Sequence, residues 1–527
     1  MRAELRDSLE FLFPDSEVGP KPCCATSLEV ARGGTVSVHV LLNGLEKMRT
    51  VRARVRCKDK ILREARWFRL VDVPVEVNTG PVGFVEKEGQ ENPHVIRRAP
   101  YRVYDAMEPV GANIKASSAT MAFRLQIPIA RDTRPGRREY VIEARCGKEQ
   151  RSLSLDVTVC RPVIPPTGCD SFPYTNWFSL DLMAERHALE PWSNAHWRMI
   201  RRYADLMAHG RQNAFWCPLS NVFKVVRGKP ILDRERLRKI VKTFTRAGMH
   251  HIEGGHVAGR TGGEWNATTF DIGLTKVPGT SVEGNAVLAG ICGQLMEEIE
   301  RNGWRDRWIQ HVADEPTATN AADYRILVGM VRKYMPGIPI LDATMDPSLA
   351  GSVDIWCPQA QEYQRNRKRF EAQQKLGDQV WFYTCCFPGG PWLNRLLDME
   401  LLRPALFGWG AARYDLEGFL HWGLNHYRPE QDPFEQNVVG HGGGNCLPAG
   451  DTHIIYPGTG GPYSSLRLEA QREGTEDFEL FRKLKDRDPK AANPIIRRAF
   501  RGFDNYTRNV KTFRSARKQL LERVAGL

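Results

Sequence analysis

The periodicity of this chain changes once, near residue 165, and that change restricts the fold more than any other feature. Before it, apolar residues recur at every second position: Val36, Val38 and Val40; Val51, Ala53 and Val55; Leu153, Leu155, Val157 and Val159. A period of two sends alternate side chains to opposite faces of a strand, so several such runs read as a β-sandwich. The stretch Arg161-Pro-Val-Ile-Pro-Pro-Thr-Gly then breaks regular structure and marks a boundary. Beyond it, short apolar strands alternate with amphipathic helices. One helix should start at a Ser193 cap, carry Trp197, Ile200, Ala204 and Met207 on one face, and stop near Gly210. Leu237, Ile240, Val241 and Phe244 mark a second, stopped by Gly248, and Leu288, Ile291, Leu295 and Ile299 a third, stopped by Gly303. Strands are expected at 174–178, 213–217, 250–253, 308–313, 338–342, 354–357, 380–384 and 418–422. Eight strands alternating with helices indicate a parallel (β/α)8 TIM-like barrel. The fold class is therefore α/β with a β-rich N-terminal domain. The expected division is a sandwich over 1–165, a catalytic barrel over 166–465, and a charged helical segment over 466–527 packed on the barrel.

Active sites of such barrels gather at the C-terminal ends of the strands. Those ends carry Asn176-Trp177, Trp216, Glu253-Gly-Gly-His256, Asp314-Glu315, Asp342, Gln359, Tyr383 and Trp422. Carboxyl groups among flat rings suit a sugar, whose apolar faces stack on aromatics while acids move protons. The strongest local signal is Trp308-Ile-Gln-His-Val-Ala-Asp-Glu-Pro316, an apolar strand ending in two acids. Alone, Asp-Glu-Pro would as readily begin a loop and cap a helix; its place at a barrel-strand end favours chemistry. Adjacent carboxyls repel, so one pKa rises while the other stays low, which suits one group to donate a proton and the other to stay charged. Glycoside hydrolysis needs that division. Neighbours on one strand seldom reach opposite faces of one anomeric carbon. A substrate-assisted route removes the difficulty: a 2-acetamido oxygen attacks, Asp314 orients the acetamido N–H, and Glu315 serves as acid and then base.

The remaining candidates carry open alternatives. Glu253 and His256 either bind sugar hydroxyls or close a Gly-Gly turn, and Arg260 either reaches the site on the same loop or lies on the surface. Asp451 either holds hydroxyls or makes an Asx turn beside Gly450. His250, His251 and His256 match no usual zinc spacing, so neither a metal nor a cofactor is expected. Arg472, Glu473, Glu476 and Asp477 read as a solvated, salt-bridged helix face. No convincing dinucleotide-binding Gly-x-Gly-x-x-Gly and no Gly-x-Ser-x-Gly elbow appears, which argues against dehydrogenases and esterases. The net charge of +13 is scattered in clusters such as 234–242 and 365–369 without a nucleic-acid motif, so no nucleic-acid partner is expected. No apolar run reaches membrane-span length, and the first residues lack a secretory apolar core, so the sequence as given reads as cytoplasmic, with secretion open if a leader was trimmed. The twelve cysteines show no framework spacing and read as free thiols.

The ordered set Gly408-Trp-Gly-Ala-Ala-Arg413, Glu417-Gly-Phe-Leu-His-Trp-Gly-Leu-Asn425, Gly450-Asp451, Tyr456-Pro-Gly458, Ser464-Ser-Leu-Arg-Leu-Glu469 and Arg472-Glu-Gly-Thr-Glu-Asp477 resembles glycoside hydrolase family 123 and the wider group carrying domain of unknown function 4091. Asn176-Trp-Phe178, Trp192-Ser193 and Ile252-Glu-Gly-Gly-His256 are similar to the group's barrel strands and loops. The resemblance implies a sandwich plus a (β/α)8 barrel, and a retaining, exo-acting β-N-acetylgalactosaminidase acting on a glycan or glycoconjugate. It further implies that Asp314 and Glu315 are catalytic, that Tyr383 or Tyr456 hydrogen-bonds the acetamido carbonyl, and that Trp422 floors the sugar. Gly450-Asp451-Thr452 and the insert His441-Gly-Gly-Gly-Asn445 depart from the family pattern. Two other readings stay open: a glycosidase for sugars without an acetamido group, pairing Glu315 with a carboxyl such as Glu253, and a carbohydrate-binding protein without turnover.

Overall fold

The residues with period two form the interior of a β-rich N-terminal region. In the computed structural model, which describes residues 1–58 and 60–526, the three valine and leucine runs lie on Thr35–Asn43, Thr50–Cys57 and Glu149–Val163. Their alternate side chains are buried in one core together with Leu5, Leu125 and Tyr140. Two sheets supply that core. One orders Arg2–Asp7, Thr35–Asn43, Thr120–Pro128, Arg66–Val75, Tyr101–Val110, Gly461–Ser465 and Tyr456–Gly458. The other orders Ala25–Arg32, Glu149–Val163, Gly136–Cys146, Thr50–Cys57 and Lys60–Ile61.

The chain divides into two compact units, and the division differs from the one expected. Residues 1–166, 386–415 and the stretch from Asn425 onward form the first; Thr167–Cys385 and Leu416–Leu424 form the second. The reason is visible in the sheet: Ser464 and Ser465 pair antiparallel with Met107 and Ala106, tying the C-terminal part to the N-terminal strands. The helix Leu466–Arg487 accordingly belongs to the first unit. It crosses Leu402–Tyr414 at backbone contact, since a Cβ on Gly408 would stand 1.9 Å from the Gly474 carbonyl oxygen. Arg472, Glu473, Glu476 and Asp477 are buried, not solvated. Each finds a countercharge: Arg472 bonds Glu469 and Glu476, Arg514 bonds Glu473, and Arg517 bonds Asp477. Buried charges persist only when paired in this way.

The second unit holds a strand at each of the eight expected places: Tyr174–Asn176 (β1), Ala214–Cys217 (β2), His251–Gly254 (β3), Trp308–Gln310 (β4), Leu341–Asp342 (β5), Ile355–Trp356 (β6), Gln379–Tyr383 (β7) and Gly418–His421 (β8). All pairings among them are parallel. They form two curled ladders, β2-β3-β4 and β5-β6-β7-β8-β1. A parallel bridge, Gln310 to Ile340, joins the first ladder to the second. Between β1 and β2 a hydrogen bond from Asn213 N to Tyr174 O (3.2 Å) replaces a ladder. Ile309, Leu341, Ile355, Trp381, Tyr383 and Leu420 share a core inside the curl. Ser193 caps the helix Asn194–His209 by accepting from His196 N, and Gly248 ends Arg234–Ala247 with a φ of 111°. No helix among the described residues is long and apolar enough to cross a membrane. The twelve cysteines are free thiols.

Candidate active site

The acidic pair does not sit on the strand itself. The β4 ladder ends at Gln310, residues 311–312 carry no ladder, and Asp314 and Glu315 lie in the bend formed by 313–315. Two anchors hold that turn. Val312 N and Ala313 N donate to Asp342 Oδ2 at 3.1 and 3.4 Å. Arg260 donates through Nη1 to Asp314 O (3.1 Å) and through Nη2 to Glu315 O (2.6 Å). Between these anchors Glu315 takes a φ of 47°, a left-handed conformation that costs a residue with a Cβ of order 1 kcal/mol or more. The following proline disfavours the right-handed helical alternative. Strain of this kind persists only where the surroundings impose it.

The two acids face different partners. Tyr383, the last residue of β7, donates its hydroxyl to Glu315 Oε1, and the same hydroxyl oxygen lies 3.5 Å from Met345 Sδ. Asp314 Oδ1 is 4.0 Å from His256 Nε2, and its side chain remains 52% exposed. Burial raises the Glu315 pKa to about 7, reinforced by the charge of Asp314 and opposed by Tyr383 and Arg260. Asp314 is raised as well, by desolvation first and by Asp342 second, with Arg260 and His311 opposing. Its open carboxyl faces water, which moderates that rise, so Glu315 is the acid that keeps its proton longer.

Behind the pair lies a buried network that no local sequence pattern assembles. His311, fully buried, sits between two carboxyls: Nδ1 is 3.1 Å from Asp342 Oδ1 and Nε2 is 2.8 Å from Glu253 Oε1. Burial alone would depress its pKa, but the hydrogen bonds and charges of Asp342 and Glu253 outweigh it and hold the group at about 9. His311 is therefore an imidazolium near neutral pH. Glu253 Oε2 accepts from Thr175 Oγ1 (2.6 Å), and Oε1 also accepts from Trp177 Nε1 (2.8 Å). Asp342 Oδ2 additionally accepts from Tyr324 Oη (2.6 Å).

This network corrects one expectation. Glu253 is buried with both oxygens taken, so it braces the wall instead of meeting sugar. What it braces is aromatic: Trp177 stacks on Trp216 with centroids 4.6 Å apart, and both rings contact His256. His256 is kept neutral, its pKa lowered to about 3 by burial and by the charge of His311. Its Nε2 has no hydrogen-bond partner among the described residues. The Gly-Gly between Glu253 and His256 is dictated by crowding, since a Cβ on Gly254 would lie 2.5 Å from Gln310 Oε1 and one on Gly255 2.9 Å from Pro218 Cα.

Asp314, Glu315, Tyr383, His256, Trp177 and Arg260 thus come together, and Trp422 follows β8 half-buried. Asp451 and Tyr456 belong to the first unit. The Tyr456 hydroxyl is committed to Asp105 Oδ2 at 2.7 Å, an acid that also takes Arg467, so Tyr383 is the tyrosine placed beside the pair. His256, His311 and Asp342 bring ligand-type atoms within 4.8 Å of one another. A metal there would need a bare nitrogen of His311, and both of its nitrogens already face carboxyls, so the trio works as a charge network. His250 and His251 contact each other, with rings 5.0 Å apart, and take no part in that trio.

Two acids with divided surroundings, set among stacked rings at parallel-strand ends, are the equipment of a glycoside hydrolase, and the comparisons place the chain in that class. Residues 263–484 match the model of the glycoside hydrolase 123 catalytic domain, a stretch that includes Asp314, Glu315, Tyr383 and Trp422. The chain is a glycoside hydrolase whose residues 263–484 are similar to the family 123 catalytic domain. A structure described as detailing glycolipid glycan hydrolysis by a family 123 glycoside hydrolase from Clostridium perfringens is 15% identical. The match covers 100% of this chain and 97% of that one with a TM-score of 0.76, a likeness of fold. A GH10 xylanase with a bacterial Ig-like domain from termite gut is 11% identical over 86% of this chain and 99% of its own, with a TM-score of 0.34. A β-galactosidase from Rahnella sp. R3 is 10% identical over 61% and 58%, with a TM-score of 0.37. Comparison with curated protein sequences gives no match.

Proposed function

We propose that this chain is a retaining glycoside hydrolase that removes a terminal β-linked 2-acetamido sugar, N-acetylgalactosamine foremost, by substrate assistance. The observation that carries the reading is the division between neighbouring acids. Glu315 is turned onto Tyr383 with a raised pKa, while Asp314 stays open beside His256. Consecutive residues cannot flank one anomeric carbon, so the acetamido oxygen serves as nucleophile. Glu315 protonates the leaving oxygen as the acetamido oxygen closes on the anomeric carbon. Asp314 accepts the acetamido N–H and stabilises the charge that builds there. Glu315, now a carboxylate, takes a proton from water as it opens the oxazoline, and two inversions give retention. In the free enzyme the Tyr383 hydroxyl rests on Glu315; with sugar bound it turns to the acetamido carbonyl.

Trp177, Trp216 and Trp422 offer apolar faces to the sugar. Burial of Glu253 weighs against its use as a direct nucleophile for sugars lacking the acetamido group. The sequential order of β1 to β8, with the bridge at Gln310 and the bond at Asn213, supports reading the two ladders as one closed (β/α)8 barrel. The substrate is a glycan or glycoconjugate, glycolipid glycans included.

The test is hydrolysis of aryl β-N-acetylgalactosaminide beside the N-acetylglucosaminide, galactoside and glucoside. Cleavage confined to acetamido sugars, and lost in Glu315→Gln with a poor leaving group, supports the reading. Equal cleavage of galactoside overturns substrate assistance.

A further inference from the structure

Arg260 does more than hold the catalytic turn. The guanidinium that bonds the Asp314 and Glu315 carbonyls also lies over the ring of Trp265, its Cζ 4.1 Å from the centroid. One face of that indole is covered by the cation, yet the residue remains 54% exposed. The loop that presents it is tied down. Ala258–Arg260 and Phe270–Ile272 pair as a hairpin beneath it, Thr261 N donates to Thr269 O at 3.1 Å, and Thr261 Oγ1 meets Asp271 Oδ1 at 3.0 Å. Asn320 Nδ2 donates to Ala267 O at 3.2 Å, and Phe270 N to Asp323 Oδ2 at 2.8 Å. A large ring on an anchored loop, oriented by a cation and open on its other face, is a preorganised stacking platform.

We propose that Trp265 forms an aglycone subsite, stacking the pyranose ring next to the scissile bond; the proposal rests on the glycosidase reading above. The enclosed sugar is flanked by rings that are mostly buried, Trp216 and Trp177 among them, whereas Trp265 faces water. It therefore suits the part of the substrate that leads out of the site. Its link through Arg260 to the backbone of Glu315, the acid that protonates the leaving oxygen, places it on the leaving-group side. The ligand class is a β-linked oligosaccharide or the glycan of a glycoconjugate, whose second sugar presents an apolar face.

The experiment compares two substrates with the same glycone: a β-N-acetylgalactosaminyl disaccharide and β-N-acetylgalactosaminyl fluoride, which has no ring beyond the scissile bond. Trp265→Ala should lower the ratio of their kcat/KM values, disaccharide over fluoride, roughly tenfold, the effect of one well-packed ring contact. Trp265→Phe should recover most of that ratio. An unchanged ratio overturns the proposal, and equal losses on both substrates would show that Trp265 acts only by steadying Arg260. If wild-type enzyme cleaves neither substrate, the N-acetylgalactosaminide reading fails, and calorimetric binding of the disaccharide to Glu315→Gln, with and without Trp265→Ala, decides the subsite alone. A tenfold weaker affinity in the double variant then supports it. Equal affinity, or no binding to either protein, overturns it.

Discussion

Removing the charge from His311 tests the buried network independently of any reaction. The imidazole is fully buried between Asp342 and Glu253, which hold its pKa at about 9 against an ordinary value of 6.5. Each tenfold gain in proton affinity on folding corresponds to about 1.4 kcal/mol, so the protonated group contributes about 3 kcal/mol to stability. The sign follows from a raised base: the folded state holds the proton more tightly than the unfolded chain. The contribution is complete below the ordinary value of 6.5 and is lost as pH rises towards 9. His256, depressed to about 3, is neutral in the folded protein across that window; the slope from its unfolded imidazole, which titrates near 6.5, is shared by wild type and variant and drops out of their difference. His311→Gln preserves much of the shape and some hydrogen bonding but supplies no cation. Urea midpoints followed by tryptophan fluorescence should show the variant less stable by about 3 kcal/mol near pH 6, with the gap closing by about pH 9.5. A gap that stays constant or widens with pH would show that His311 is neutral in the folded protein and that the network is not ionic.

On substrates with poor leaving groups, Glu315→Gln should lower kcat by about 10²–10⁴, the usual worth of a positioned acid, and much less on activated aryl glycosides. Because the Glu315 pKa is raised to about 7, wild-type activity on poor leaving groups should fall as pH climbs past that value, a limb that steady-state pH profiles resolve. Tyr383→Phe removes a donor that opposes this rise, so the alkaline limb should move to higher pH while kcat falls on acetamido sugars; an unmoved limb would separate Tyr383 from Glu315. Gly408→Ala should destabilise the protein by about 3 kcal/mol or more, read as a fall in Tm, because its Cβ would meet the Gly474 carbonyl at 1.9 Å and two packed helices must part.

Periodicity made much of the fold legible. Val36, Val38 and Val40 had one physical destination, and Ser193 and Gly248 marked helix ends by chemistry that needs no tertiary partner. The allocation of residues beyond 385 was not legible, because it depends on Ser464 and Ser465 pairing with Met107 and Ala106 on a strand far earlier in the chain, and local pattern carries no trace of so distant a partner. The same remoteness hid the burial of Arg472 to Asp477. Charges at helical spacing look solvated unless Arg514 and Arg517, which stand on the later helix Val510–Ala525, are known to cover them.

The site divides along the same line. Asp314 and Glu315 announced themselves because an apolar strand ran into two acids and a proline. His311 stood in that very string, just before them, and gave no signal because a lone histidine acquires a role only from what surrounds it. Its partners come from β3 and β5, and their register is what turns three unremarkable residues into an ion network. That network explains why a carboxyl such as Glu253, at the right end of the right strand, is buried with both oxygens hydrogen-bonded. It neutralises His311 and fixes Trp177 through its indole N–H, so the aromatic wall and the charge beside Asp314 depend on one buried acid. A substitution at Glu253 would therefore disturb the Trp177 ring and, through His311, the field at Asp314 together.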